Sequence, residues 1–137
     1  MVARRIKTGK GDKEDYYKYW KKGKEFYETA EDRLAHEKWN AAALNAIHSG
    51  ISANDALLVC FHGVKSISPK HDDAIRLLTS LVEHEKTGTN AAHLRNLIGA
   101  KHTVEYESRL FTQKEAQVLV KHAKRFLDWV GSILPNR

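Results

Sequence analysis

The sequence predicts an all-α fold, a four- to five-helix up-and-down bundle, and three observations carry that expectation. Only two prolines occur, Pro69 and Pro135. Nowhere do apolar and polar residues alternate as a half-buried strand requires, and apolar residues instead recur at steps of three and four in successive stretches.

The first helix is expected over about 13–36, where Tyr16, Trp20, Gly23, Tyr27, Ala30 and Leu34 line one stripe. Tyr16, Trp20 and Tyr27 are therefore expected in the core. The second spans about 38–62 and carries Ala42, Ala46, Gly50, Ala53, Leu57 and Cys60 on one face, small residues that let a neighbouring backbone approach, so this helix should be central. Gly63 is its expected C-cap, and Ser68-Pro69 reads as N-cap and first residue of the next helix. That third helix carries Ala74, Leu77, Leu78, Leu81 and Val82, with "KTGTN" as its end. A fourth should run from about Asn90 to about Ser108 with a bend near Gly99. Thr112 and Glu115 make a T-x-x-E capping box for the fifth, whose face is Ala116, Leu119, Val120, Ala123, Phe126, Leu127 and Val130.

At 137 residues the chain suits one domain with its own core. The formal charge is +6, and +4 of it falls on residues 1–13, where Arg4, Arg5, Lys7, Lys10 and Lys13 stand against Asp12. This stretch lacks apolar periodicity and is expected to be a disordered basic leader to a helical domain over 14–137. Such a leader, like the cluster Lys18, Lys21, Lys22 and Lys24, suits phosphate backbones; the plainer reading is a solvated, solubilising terminus. The single Cys60 cannot form an intrachain disulfide and suits a reducing compartment. No run approaches the ~18 apolar residues of a membrane span, and the start lacks the apolar centre of a signal peptide. A cytoplasmic protein is expected.

Eight histidines invite a metal, but neither H-E-x-x-H nor Glu-x-x-His occurs, and Glu83, His84 and Glu85 are adjacent and point in different directions. Neither a metal nor another cofactor is expected. His48, in "LNAIHSG", reads as a helix histidine satisfied by a backbone or carboxylate neighbour. The stretch "LRNLIGAKHTVEY" is richer. On a continuous helix Gly99, His102 and Tyr106 each lie within about 40° of Arg95, with open space at Gly99. A guanidinium can clamp a phosphate and an imidazole can move a proton near neutral pH, enough for metal-free RNA cleavage by its own 2′-hydroxyl. The alternative is that Tyr106 draws this stripe toward the core and His102 merely hydrogen-bonds there.

Four segments together, "WNAAALNAIHSGISANDALLV", "HDDAIRLL", "LRNLIGAKHTVEYESR" and "EAQVLVKHAKRFLDWV", resemble the HEPN (higher eukaryotes and prokaryotes nucleotide-binding) domain over about Asp15 to Leu134. Many members are ribonucleases with Arg, four to six residues, then His, and often a polar residue directly after the Arg. The resemblance implies that Arg95 binds phosphate, Asn96 positions it and His102 is the general base or acid. It implies a homodimer, with Arg95, Asn96 and His102 of both copies near the two-fold axis and Tyr106 packed behind them. The reading is a metal-independent endoribonuclease or toxin-like RNA-binding protein, with Arg4, Arg5, Lys7, Lys10 and Lys101 as further nucleic-acid contacts. Other members lack the catalytic pair and end this helix as Lys101, Glu105 and Tyr106 do here. They imply a non-catalytic module for nucleotide, nucleic acid or a nucleotidyltransferase partner of toxin–antitoxin type.

Overall fold

The computed structural model describes residues 6–68 and 71–135, and the architecture is an all-α helical bundle with a small two-stranded sheet. The chain runs β1 (Thr8–Lys10), a 3-10 turn (Lys13–Asp15), α1 (Tyr16–Ala35), α2 (Trp39–His62), β2 (Val64–Ser66), α3 (His71–Leu81), α4 (Thr87–Gly99), α5 (Lys101–Tyr106) and α6 (Gln113–Ile133).

The small-residue stripe places α2 at the centre, as expected. Ala42, Ala46, Gly50, Ala53 and Leu57 are buried, and Gly23 of α1 lies so close that a Cβ there would stand 3.3 Å from both Ala53 N and Ser49 O. At Gly50 a Cβ would meet Leu97 Cδ1 of α4 at 2.6 Å. Phe126, Trp129 and Val130 of α6 pack against Leu57 and Leu58 of α2 and Leu78 of α3 in one core, while Ile47, Leu97, Phe111 and Leu119 join a second. Gly63 adopts the left-handed conformation, φ 65°, and its N–H donates to Val59 O, the expected end of α2. The Thr112–Glu115 capping box is present in both directions.

Four expectations need correction. The leader is not disordered from Ile6 onward: Thr8–Lys10 pairs antiparallel with Val64–Ser66, and Gly11 N–H donates to Gly63 O at 2.8 Å. A three-residue strand is too short for alternation to register, and its partner lies more than fifty residues away. Second, "KTGTN" belongs largely to the start of α4, which opens at Thr87 rather than Asn90; Thr87 is buried and its hydroxyl donates to Val82 O. Third, the fourth helix is two helices. It tightens at Gly99–Ala100, where Ala100 N–H bonds to Leu97 O, and α5 stops at Tyr106, short of Ser108. Fourth, of the aromatic stripe only Tyr16 is buried; Trp20 and Tyr27 are half-buried along the α1–α6 groove. The expected Ser68-Pro69 cap falls partly on Pro69, outside the described residues. No helix of the described residues is long and apolar enough to cross a membrane.

Candidate nucleic-acid interface

The break at Gly99–Ala100 opens a cleft of about 580 Å³ between the end of α4 and the start of α6. Arg95, Asn96, Gly99, Ala100 and Thr103 form one wall, and Arg109, Lys114, Glu115 and Val118 face them over Phe111 and Leu119. Nothing lies within 4 Å of the position a Cβ would take at Gly99, so this wall is open where the sequence anticipated space. The volume is that of a small-molecule site, with an apolar floor and convergent polar groups.

One contact distant in sequence and several local ones assemble the far wall. Phe111 N–H donates to Asn40 Oδ1 at 2.8 Å, which ties the α5–α6 linker to the start of α2. Arg109 Nη1 donates to both Glu115 oxygens, at 2.9 and 3.0 Å, and its guanidinium lies 4.8 Å over the Phe111 ring. The Arg109 bond, followed by the Thr112 backbone N–H, holds the Glu115 carboxyl below the usual carboxylate range. Arg109 and Glu115 thus neutralise each other. Arg95 and Lys114 make no ion pair among the described residues, so the cleft keeps two uncompensated positive charges.

The expected site residues divide. Arg95 and Asn96 both line the cleft, and the Asn96 amide donates to Ala92 O at 2.8 Å. His102 does not line it. Its side chain is 60% exposed, its Nε2 lies 3.9 Å from Glu107, and its ring rests against Tyr106 with centroids 5.4 Å apart. Tyr106 is itself 73% exposed rather than packed behind the motif. Both departures follow from the helix break, because the shared stripe required one uninterrupted α-helix.

Lys101 pairs with Glu105 at 2.8 Å within α5, and the other Glu105 oxygen faces His48 Nε2 of α2 at 3.9 Å, while Tyr106 takes no part in that approach. His48 has the carboxylate neighbour expected for it, and its ring also meets Phe26. Lys7 and Lys10 are exposed on and beside β1, while Arg4 and Arg5 lie outside the described residues. Sequence reasoning missed Arg109, Phe111, Lys114 and Val118. The capping box located the start of α6, but nothing local indicated that α4 would face it.

With this geometry in view, the HEPN domain profile matches residues 16–133. The chain belongs to the HEPN family, and is a module of its nucleotide- and RNA-related kind. A search among curated proteins returns no match.

Proposed function

We propose that this HEPN domain binds RNA or a nucleotide through the α4–α6 cleft, with Arg95 and Lys114 on phosphate and Asn96 beside them. One observation carries the reading: two cations without an ion pair among the described residues flank an apolar floor, whereas the third cation, Arg109, is satisfied by Glu115. Phosphate contacts of this kind supply sequence-independent affinity, and the apolar floor accommodates a base. Fluorescence anisotropy with a labelled single-stranded RNA tests it. The double variant Arg95→Ala/Lys114→Ala should lose about tenfold in affinity, or ~1.4 kcal/mol, with the slope of log affinity against log salt shallower by about 0.7 per lost contact. Equal affinity and slope would remove the cleft from the binding surface.

The second reading is a metal-independent endoribonuclease of the toxin-like kind, favoured by the Arg95-Asn96-x5-His102 spacing and by the solvent-exposed imidazole. In one subunit His102 stands outside the lining of the Arg95 cleft, so cleavage requires a homodimer in which a second copy completes the site. Attack by the 2′-hydroxyl on phosphorus expels the 5′-oxygen and leaves a 2′,3′-cyclic phosphate, with one histidine taking the proton and the other returning one. Such cleavage should persist in EDTA and vanish in His102→Ala and in Arg95→Ala. Growth arrest on induction in a bacterial host, relieved by His102→Ala, would mark a toxin, and a neighbouring gene encoding a small nucleotidyltransferase would favour a toxin–antitoxin pair. Harmless wild type and intact RNA leave the cytoplasmic binding module.

A further inference from the structure

Away from the α4–α6 cleft, α1 and α6 enclose two adjoining hollows of about 410 and 500 Å³ that share Trp20, Lys24 and Gly131. They form one groove. A Cβ at Gly131 would stand 3.2 Å from Trp20 Cζ2, so the glycine lets the indole lie against α6 and form the groove's floor. At one end Tyr16, buried, donates its hydroxyl to Pro135 O at 3.3 Å and closes the wall.

Charge divides the groove lengthwise. Lys21 and Lys24 line the end that holds Tyr17, and neither makes an ion pair among the described residues. Lys24 Nζ lies 5.6 Å over the Trp20 ring, which holds the ammonium at the groove's mouth. One helical turn on, Glu28 and Glu31 bring negative charge, while Asp128 is paired with Lys124 at 2.9 Å. The basic half, from Tyr17 to Lys24, covers about 10 Å of α1 at 1.5 Å per residue, so a phosphate is welcome there and repelled beyond it.

We propose that the basic half of the α1–α6 groove is a second nucleotide subsite, in which a base takes the place over the Trp20 ring that Lys24 Nζ holds in the free protein, with its phosphate on Lys21 and the displaced Lys24. It rests on the RNA- or nucleotide-binding reading of the domain and adds a place of contact on other elements. Every base offers a π-face to an aromatic ring, and the flanking ammonium groups match the backbone charge. An acidic peptide would satisfy the lysines but offer nothing planar to replace the Lys24 ammonium over Trp20. The acidic half limits the occupant to a mononucleotide or the end of a strand, because a longer backbone would run its phosphates into Glu28 and Glu31.

The test uses the full chain, a labelled single-stranded RNA carrying 4-thiouridine at its end, and AMP as competitor. Lys21→Ala/Lys24→Ala alters two exposed positions outside the core. It should weaken RNA binding about fivefold and shallow the salt slope by about 1.4, two single-strand contacts. Photocrosslinks should fall within residues 16–24. Their displacement by AMP identifies a free-nucleotide pocket, and their persistence against AMP identifies a strand-end site; either supports the subsite. Unchanged affinity and slope, crosslinks confined to residues 95–118, or equal displacement by a poly-glutamate peptide would overturn it. Loss of all binding in Arg95→Ala/Lys114→Ala, with none in the groove variant, would overturn the groove alone. Absence of RNA and nucleotide binding in wild type would overturn the groove and the cleft together.

Discussion

Gly50 in the middle of α2 and Gly99 at the end of α4 are the same residue in opposite roles. A Cβ on Gly50 would stand 2.6 Å from Leu97 Cδ1, whereas a Cβ on Gly99 would meet nothing within 4 Å. The first glycine lets two helices close on each other; the second sits where a helix ends and a cleft begins. Leu97, two residues before Gly99, links them, because its fully buried side chain presses on Gly50 while the neighbouring Arg95 and Asn96 face solvent. One turn of α4 is thus core on one side and candidate site on the other. Mutations on the two sides should separate stability from binding.

The largest effect is expected at the hinge of that comparison. Leu97→Ala removes a fully buried side chain from the α2–α4 contact and should cost about 2–5 kcal/mol, read as a lower urea midpoint with an unchanged m-value. Gly50→Ala should cost about 1–2 kcal/mol, since overpacking against Leu97 outweighs the roughly 1 kcal/mol that alanine gains in a helix interior. A variant as stable as wild type would mean that the α2–α4 contact yields easily, and the contrast with Gly99 would collapse. Thr112→Ala, at the cap of the helix that forms the cleft's far wall, should cost about 1 kcal/mol in thermal unfolding.

Gly99→Ala sharpens the comparison by reversing the sign. It should leave stability unchanged or raise it by up to about 0.5 kcal/mol, while the added methyl group in the cleft lowers RNA affinity by a few fold in the anisotropy assay.

The smallest effect concerns pH. His93 of α4 and His122 of α6 approach with their Nδ1 atoms 2.9 Å apart, which pins the two walls behind the cleft. Burial lowers both imidazole pKa values, and Arg125 lowers them further; at His122 the charge on His93 adds to it. The folded values therefore lie below the unfolded one near 6.5. The unfolded chain takes up these protons first, so stability is fully present above about pH 6.5 and declines as pH falls through that value toward the folded ones. Thermal midpoints measured from pH 7.5 down to 5 should show the decline, and His93→Gln should flatten part of it. An identical slope in the variant would assign the pH dependence to other groups.

Much of this fold was legible because its signals are local. The Thr112–Glu115 box, the Gly63 cap and the α2 stripe act over at most a few turns, and each forms as the residues imply. The site was legible only in part. Arg95, Asn96 and the space at Gly99 were found together, but His102 and Tyr106 were assigned to their stripe by extending the helix through Ala100. There the backbone tightens into an i→i−3 bond that period-3.6 arithmetic does not carry.

What the amino-acid sequence determined by itself was the all-α class, the helix ends at Gly63 and Thr112, the centrality of α2 and the family. Each of these rests on interactions between residues a few positions apart or on the composition of one face. Tertiary structure alone decided the rest. The β1–β2 ladder, the Asn40–Phe111 bond and the groove along Trp20 and Gly131 join segments that nothing local brings together. Such contacts form only once the helices have packed, because closing a long loop costs entropy that a single strand pair or hydrogen bond does not offset. The cleft likewise depends on the packed fold: α4 ends at Gly99, and the wall it faces comes from a helix that starts fourteen residues later.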